Sequence, residues 1–276
     1  MTPQLAIIQL RSDGDPESRL TRAGALIDAA VAQGATLVAL PENFAYFGAG
    51  TEALAAAARA EAGPDGPARA LLAERARRHA IWILGGTLPL FSGLADDRDP
   101  RPFAAALLYD AAGEEVARYH KIHLFDVQVR ASGRRYCESD SFRPGADPVV
   151  VHTPLGKLGI SVCYDLRFPE LYRGYAARGA ELLAVPSAFT ATTGAAHWKL
   201  LLRARAVENQ CYVIGANLGG RDHPSQPTWG GSVIIDPWGE VVAELEDEEG
   251  LILAPIDRTR LAQVRADMPV LDHRRL

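Results

Sequence analysis

Three short segments carry groups able to do covalent chemistry. Gly159-Ile160-Ser161-Val162-Cys163-Tyr164-Asp165-Leu166-Arg167-Phe168-Pro169-Glu170 runs an apolar strand into a cysteine, a polar turn and a helix start. That is the logic of a nucleophile elbow carried on a different motif. It leaves the N–H groups after Cys163, beginning with that of Tyr164, free to meet a developing oxyanion. A thiol with a pKa of about 8.5 is mostly protonated at neutral pH, so a neighbouring base or cation is required. Leu40-Pro41-Glu42-Asn43-Phe44 puts a carboxylate straight after an apolar run and a stiffening proline. Taken alone, Glu42 fits an exposed turn glutamate better than a catalytic one. Tyr119-His120-Lys121-Ile122-His123 places a lysine between two histidines at a strand end. The histidines have metal-ligand spacing, but at a strand–loop junction they need not share a face and no third ligand is evident, so no metal is expected.

The elements that must position these groups alternate in type. Apolar runs at Leu5–Leu10, Leu37–Leu40, Ile81–Leu84, Gly159–Val162, Leu182–Val185 and Cys211–Ala216 have strand length. Between them lie helical patterns: Leu20, Ala23, Ile27, Ala30 and Val31, then Pro67–Ala80, Pro169–Arg178 and Ala196–Glu208. Ala104–Tyr109 and Glu115–Tyr119 read as a hairpin around Gly113. Buried strands alternating with amphipathic helices predict an α/β sandwich. Residues 34–42 and 179–187 share Gly-Ala, an apolar strand and a proline, which is either an internal repeat or the common look of helix–glycine–strand junctions. As a repeat, it sets Glu42 and Ser187 at equivalent strand carboxyl ends, where α/β proteins assemble chemistry. The polar stretches 91–101 and 123–142 read as long, functional loops.

Composition sets bounds. The 276 residues are 48% hydrophobic with a net charge of −5, an ordinary globular balance that gives no support for nucleic-acid or anionic-membrane binding. No run approaches the roughly 18–20 apolar residues of a membrane span. The N-terminal segment lacks the basic and small-residue features of a signal peptide. Cys137, Cys163 and Cys211 are too few and too scattered for a disulfide framework, so a reducing cytoplasm is expected. Cys137 and Cys211 have no acid–base partner in sequence and read as structural.

Taken in the order Glu42, Lys121, Cys163, the segments resemble the nitrilase superfamily of carbon–nitrogen hydrolases along essentially the whole chain. Each segment alone is weak, and the ordered set is specific. The resemblance implies a four-layer αββα sandwich of two pseudo-symmetric halves, one domain over residues 1–276, and no cofactor. It implies Glu42 as general base, Lys121 as the cation for the tetrahedral intermediate and Cys163 as nucleophile. A second active-site glutamate is implied between lysine and cysteine, and Glu138 in Tyr136-Cys137-Glu138-Ser139 matches it. On its residues alone, Glu138 is a loop glutamate ahead of Pro144-Gly145.

The stretch Cys163-Tyr164-Asp165-Leu166-Arg167-Phe168-Pro169-Glu170-Leu171 resembles the Nit branch of amidases, unlike true nitrilases with tryptophan and glutamate after the cysteine. Pro186-Ser187-Ala188-Phe189, the segment around Thr193 and Asp236-Pro237-Trp238-Gly239 support that branch. The branch implies hydrolysis of the distal amide of a small α-keto acid to carboxylate and ammonia through a cysteine thioester. Deaminated glutathione is the first expected substrate and α-ketoglutaramate the next. A nitrilase or N-carbamoyl amidase with the same triad is the alternative, and a catalytically silent scaffold is disfavoured by the intact set. Such substrates carry a carboxylate, for which Arg167 is the candidate partner, with Tyr164, Phe189 and Thr193 lining the pocket. Arg167 also reads as a surface salt bridge and Phe189 as plain core. His197 and Trp198 read as packing or as substrate contacts. A homodimer or larger homo-oligomer is implied as well.

Overall fold

The computed structural model describes residues 3–93, 99–130 and 133–275. In the first sheet β1 (Gln4–Gln9), β2 (Ala35–Ala39) and β3 (Trp82–Leu84) run parallel. Antiparallel strands flank them: β15 (Gly250–Pro255) on β1 and β5 (Phe103–Tyr109) on β3, with β4 (Leu88–Leu90) and β6 (Glu115–His120) both paired to β5. The second sheet repeats the plan. There β10 (Gly156–Ile160), β11 (Leu182–Ala184) and β12 (Tyr212–Gly215) run parallel. Antiparallel β9 (Val149–Thr153) lies on one side, and β13 (Val233–Ile235) then β14 (Val241–Glu244) on the other.

Helices join the parallel strands: α1 (Pro16–Ala32) between β1 and β2, α2 (Thr51–Ala60) and α3 (Pro67–His79) between β2 and β3. In the second half α4 (Pro169–Ala177) joins β10 to β11, and α5 (Ala191–Asn209) joins β11 to β12. The expected repeat is therefore present, with Glu42 and Ser187 just beyond the equivalent strands β2 and β11. A last helix, α6 (Arg258–Asp267), follows β15.

Side chains alternate across a strand, and the first sheet is apolar on both faces. Leu5, Ile7, Leu37 and Ala39 pack with Leu158, Ile160 and Leu182 of the second sheet. Ala6, Ile8, Val38 and Leu40 pack with Ala23, Ile27 and Ala30 of α1 and with Leu72 and Ala76 of α3. The outer side of the second sheet is covered by α4 and α5 through Tyr172, Tyr175, Trp198 and Leu202. The result is the four-layer αββα sandwich.

Two expectations change. The stretch 123–142 is no open loop, because it folds into a hairpin of β7 (Asp126–Val129) and β8 (Arg134–Cys137), followed by a 3-10 turn at Glu138–Asp140. Of the stretch 91–101, residues 94–98 lie outside the described residues. Helix α5 also starts five residues before the expected Ala196, capped by Thr190. Gly194 lies inside this first turn, where any Cβ would meet Trp229 at 2.3 Å, so close packing demands the glycine.

Candidate active site

The reactive groups stand at strand ends, as the sequence predicts. Glu42 lies just past β2, Lys121 directly follows β6, and Cys163 opens the 3-10 turn Cys163–Arg167 beyond β10. Cys163 has φ +47°, a left-handed conformation that non-glycine residues rarely adopt. Such strain costs on the order of 1–3 kcal/mol and persists where the surroundings impose it. Here the Cys163 N–H donates to Pro186 O at 2.9 Å, and Asp165 N–H closes the turn on Val162 O at 3.0 Å. The Tyr164 N–H takes no acceptor among the described residues, as expected in the first turn of a helix.

Lys121 is the hub of the charges. Its Nζ donates to Glu42 Oε1 at 2.8 Å and to both carboxylate oxygens of Glu138 at 2.9 and 2.8 Å. Lys121 and Glu42 are buried, and Glu138 is nearly so. Burial opposes the ammonium charge, but Glu138 and Glu42, with Cys163, outweigh it and hold Lys121 well above its ordinary value. Burial, then Lys121's opposing pull and Glu42's repulsion, leaves the Glu138 carboxyl raised. Burial and the adjacent Glu42 carboxylate push the Cys163 thiol well up, against the pull of Lys121. The second Glu42 oxygen accepts the Ala188 N–H at 2.9 Å, and that N–H also faces the thiol. The site thus sets a thiol held against ionisation beside Glu42 and a fixed ammonium.

These four residues line one cavity of about 250 Å³ together with Tyr164, Phe189 and Thr193. Arg167 is the exception. A 3-10 turn has three residues per turn, so a side chain four positions past Cys163 points roughly a third of a turn away from it. Its guanidinium lies 5.4 Å from the Phe189 ring centre and 5.8 Å from that of Tyr164, and donates to His197 Nδ1 at 3.2 Å. It backs two wall residues from outside, and the only cation in the cavity wall among the described residues is Lys121. Trp198, by contrast, is buried packing, its Nε1–H donating to Gly231 O at 2.7 Å.

Several participants escaped sequence reasoning. The β7–β8 hairpin brings Phe125, Tyr136 and Cys137 to the cavity, so Cys137 is a wall residue as well as a structural one. Phe125 N–H donates to Glu138 Oε2 at 2.7 Å and fixes that carboxylate. Buried Asn217 accepts the Phe189 N–H at 2.9 Å and so steadies the loop that presents Ala188. Cys211 is buried beneath Ala180 and Asn209 carbonyls, with its pKa pushed by burial to about 11. His120 stacks on Phe103 at 3.9 Å while the ring of His123 bonds Asp165 at 2.7 Å, so the two histidines serve different neighbours. Among the described residues no cluster of three metal-ligating side chains occurs.

The sequence pattern of the carbon-nitrogen hydrolase family matches residues 4–266. A deaminated glutathione amidase of Synechocystis is 44% identical over 278 residues, covering 99% of either chain. The mouse omega-amidase NIT2 is 36% identical over 280 residues, covering 99% of this chain and 95% of its own. Among solved structures, Saccharomyces cerevisiae Nit3, described as a member of branch 10 of the nitrilase superfamily, matches with a TM-score of 0.87 at 31% identity. That match covers 100% of this chain and 97% of the yeast protein.

Proposed function

Because this chain belongs to the carbon-nitrogen hydrolase family and is a hydrolase of carbon–nitrogen bonds other than peptide bonds, we propose that Cys163 is its nucleophile, Glu42 its general base and acid, and Lys121 its electrostatic catalyst. The observation that carries this reading is the single ammonium held 2.8 Å from both Glu42 and Glu138 beside a buried thiol. Glu42 takes the thiol proton as sulfur attacks the amide carbon. The oxyanion forms against Lys121 and the Tyr164 N–H, donors already in place before the reaction. Glu42 returns its proton to the departing nitrogen, the C–N bond breaks and a thioester remains. Water, deprotonated by the same carboxylate, then adds to the thioester, and Glu42 returns that proton to the Cys163 sulfur as the C–S bond breaks and the acid leaves. The leaving group is ammonia only where the amide is primary, and otherwise the amine half of the substrate. Glu138 holds the same Lys121 ammonium with both of its carboxylate oxygens.

The substrate we propose is the distal amide of a small α-keto acid, deaminated glutathione first and α-ketoglutaramate next, as the relatives' names support. Tyr164, Phe189 and Thr193 form the substrate wall, and Arg167 acts through the first two. The same triad could serve a nitrile or an N-carbamoyl amine. Product release should be measured with all four substrates and with a Cys163→Ala control. Turnover of the nitrile alone would sink the substrate reading; no turnover and no mass adduct on Cys163 would sink the whole.

The reading makes residues 1–276 one domain, since Glu42 and Lys121 come from one sheet and Cys163 from the other. A nucleophilic thiol needs a reducing setting, which favours the cytoplasm, and no helix of the described residues is long and apolar enough to cross a membrane. We also propose a homodimer or larger assembly. Leu200 and Val207, one face of α5, are 67% and 50% exposed, and Trp238, Val241 and Val242 are exposed as well. Arg203 Nε donates to Gly239 O at 2.8 Å, and Val207 packs against Gly239, which sets the exposed face of α5 beside the turn that carries Trp238.

A further inference from the structure

The strand end that presents Lys121 and the turn that presents Cys163 belong to different sheets, and one carboxylate joins them. Asp165 is fully buried. Its Oδ2 accepts from the Tyr119 hydroxyl at 2.7 Å and from the Val162 N–H at 2.8 Å. Its Oδ1 accepts from the His123 N–H at 3.0 Å and bonds His123 Nδ1 at 2.7 Å. Tyr119 and His123 stand two residues to either side of Lys121, and Val162 directly precedes Cys163. The His123 ring is fixed further by stacking on Phe168 at 3.6 Å. The same Asp165 returns its own N–H to Val162 O at 3.0 Å, so Cys163 and Tyr164 sit inside a closed ring. Asp165 does not line the cavity and touches no reacting atom.

We propose that Asp165 is a positioning residue for the hydrolysis, setting the Lys121 ammonium and the Tyr164 N–H against the Cys163 sulfur. This rests on the roles given above to Cys163 and Lys121. The geometry explains why the residue is an aspartate. Four donors converge on it from two chain segments, residues 119–123 and the strand end at Val162, and only a carboxylate offers two acceptor oxygens to all of them. An asparagine has one acceptor oxygen, and its NH2 faces donors, so at least one flank of Lys121 or the turn before Cys163 is released. A plain fold buttress would need no such convergence on both sides of a catalytic lysine. The strained φ of Cys163 gives the turn a reason to relax once it is let go.

The test uses Asp165→Asn, Tyr119→Phe and His123→Gln in the full chain, with Cys163 counted by stoichiometric alkylation. Displacing a catalytic group by about 1 Å costs on the order of 10²-fold. We therefore expect Asp165→Asn to lower kcat per alkylatable Cys163 about 10²-fold, with KM within about threefold of the parent. The single-contact variants should lose roughly three- to tenfold in kcat by the same argument. A purely structural role would lower the melting temperature or the fraction of titratable sites, and leave kcat per site unchanged. A folded Asp165→Asn variant at the parental kcat per site overturns the proposal. Should that variant fail to fold, parental kcat in both Tyr119→Phe and His123→Gln overturns it instead. An active Cys163→Ala enzyme would overturn the functional reading along with this one, whereas an inert Cys163→Ala beside an unimpaired Asp165→Asn overturns this one alone.

Discussion

Replacing Lys121 with methionine keeps the apolar stem and removes the charge that two buried carboxylates share. Glu42 Oε1 and Glu138 Oε2 each lie 2.8 Å from the same nitrogen, so they can be no farther apart than twice that distance. At that separation two full charges repel by about 3 kcal/mol at an effective dielectric of ~20. That repulsion adds to the burial that already raises the Glu138 carboxyl and favours a proton on one of the pair. Breaking a buried ion pair costs about 3–5 kcal/mol, and here the cost must depend on pH. The raised carboxyl has a folded pKa above its unfolded value. The stability it contributes is therefore fully present below the unfolded pKa and is lost as pH rises through the folded one.

Lys121→Met should accordingly fall short of the parent by about 3–5 kcal/mol at pH 8 and by clearly less at pH 5. Adding Glu138→Gln removes one charge and keeps an acceptor for the Phe125 N–H. The double variant should regain about 2–3 kcal/mol at pH 8 and none of the activity, which stays at least 10²–10³-fold down for want of the cation. Urea unfolding at pH 5, 6.5 and 8, with kcat measured on the same preparations, reads both quantities. The reasoning fails if Lys121→Met is within 1 kcal/mol of the parent at pH 8, or if the second substitution only adds a further loss.

The same charge arrangement bears on the thiol. Burial and Glu42 hold Cys163 above its ordinary pKa, so its proton stays on through the neutral range. Alkylation of Cys163 by iodoacetamide should show no ionisation step below about pH 9, and Glu42→Gln should slow turnover by roughly 10²–10⁴-fold. An inflection below about pH 7.5 would reveal a standing thiolate and refute the general-base role. For the assembly, Leu200→Glu with Trp238→Glu should reduce the sedimenting mass while a parent enzyme sediments as dimer or larger. A monomeric parent at micromolar concentration removes that proposal.

The parts of this protein that the sequence reveals are those specified by neighbours in the chain. Both halves of the sandwich are readable because β1, β2, β11 and β12 are apolar runs with a helix on at least one side, and Glu42 and Cys163 fall at the ends of apolar runs, while Lys121 ends the half-buried hairpin strand β6. The hairpin β7–β8 is not, since Asp126-Val127-Gln128-Val129 and Arg134-Arg135-Tyr136-Cys137 bury little and pair mainly with each other. Strand β15 closes on β1 with Gln4 opposite Pro255, a pairing between chain ends that no local window contains. Helix α6 buries only Leu261 and Val264, too thin a stripe to stand out. The charge of Arg167 and its distance in sequence from Cys163 suggest a carboxylate partner, but the 3-10 turn decides where it points. The backbone donor of Ala188 is harder still, because an N–H looks the same in every non-proline residue. It matters here because β11 ends at Ala184 and carries the chain across the sheet interface to within 2.9 Å of Glu42. Asp165 marks the limit most clearly. It stands two residues past the nucleophile in plain view, yet its partners Tyr119 and His123 lie more than forty residues upstream, and only the packing of one sheet on the other brings them to it.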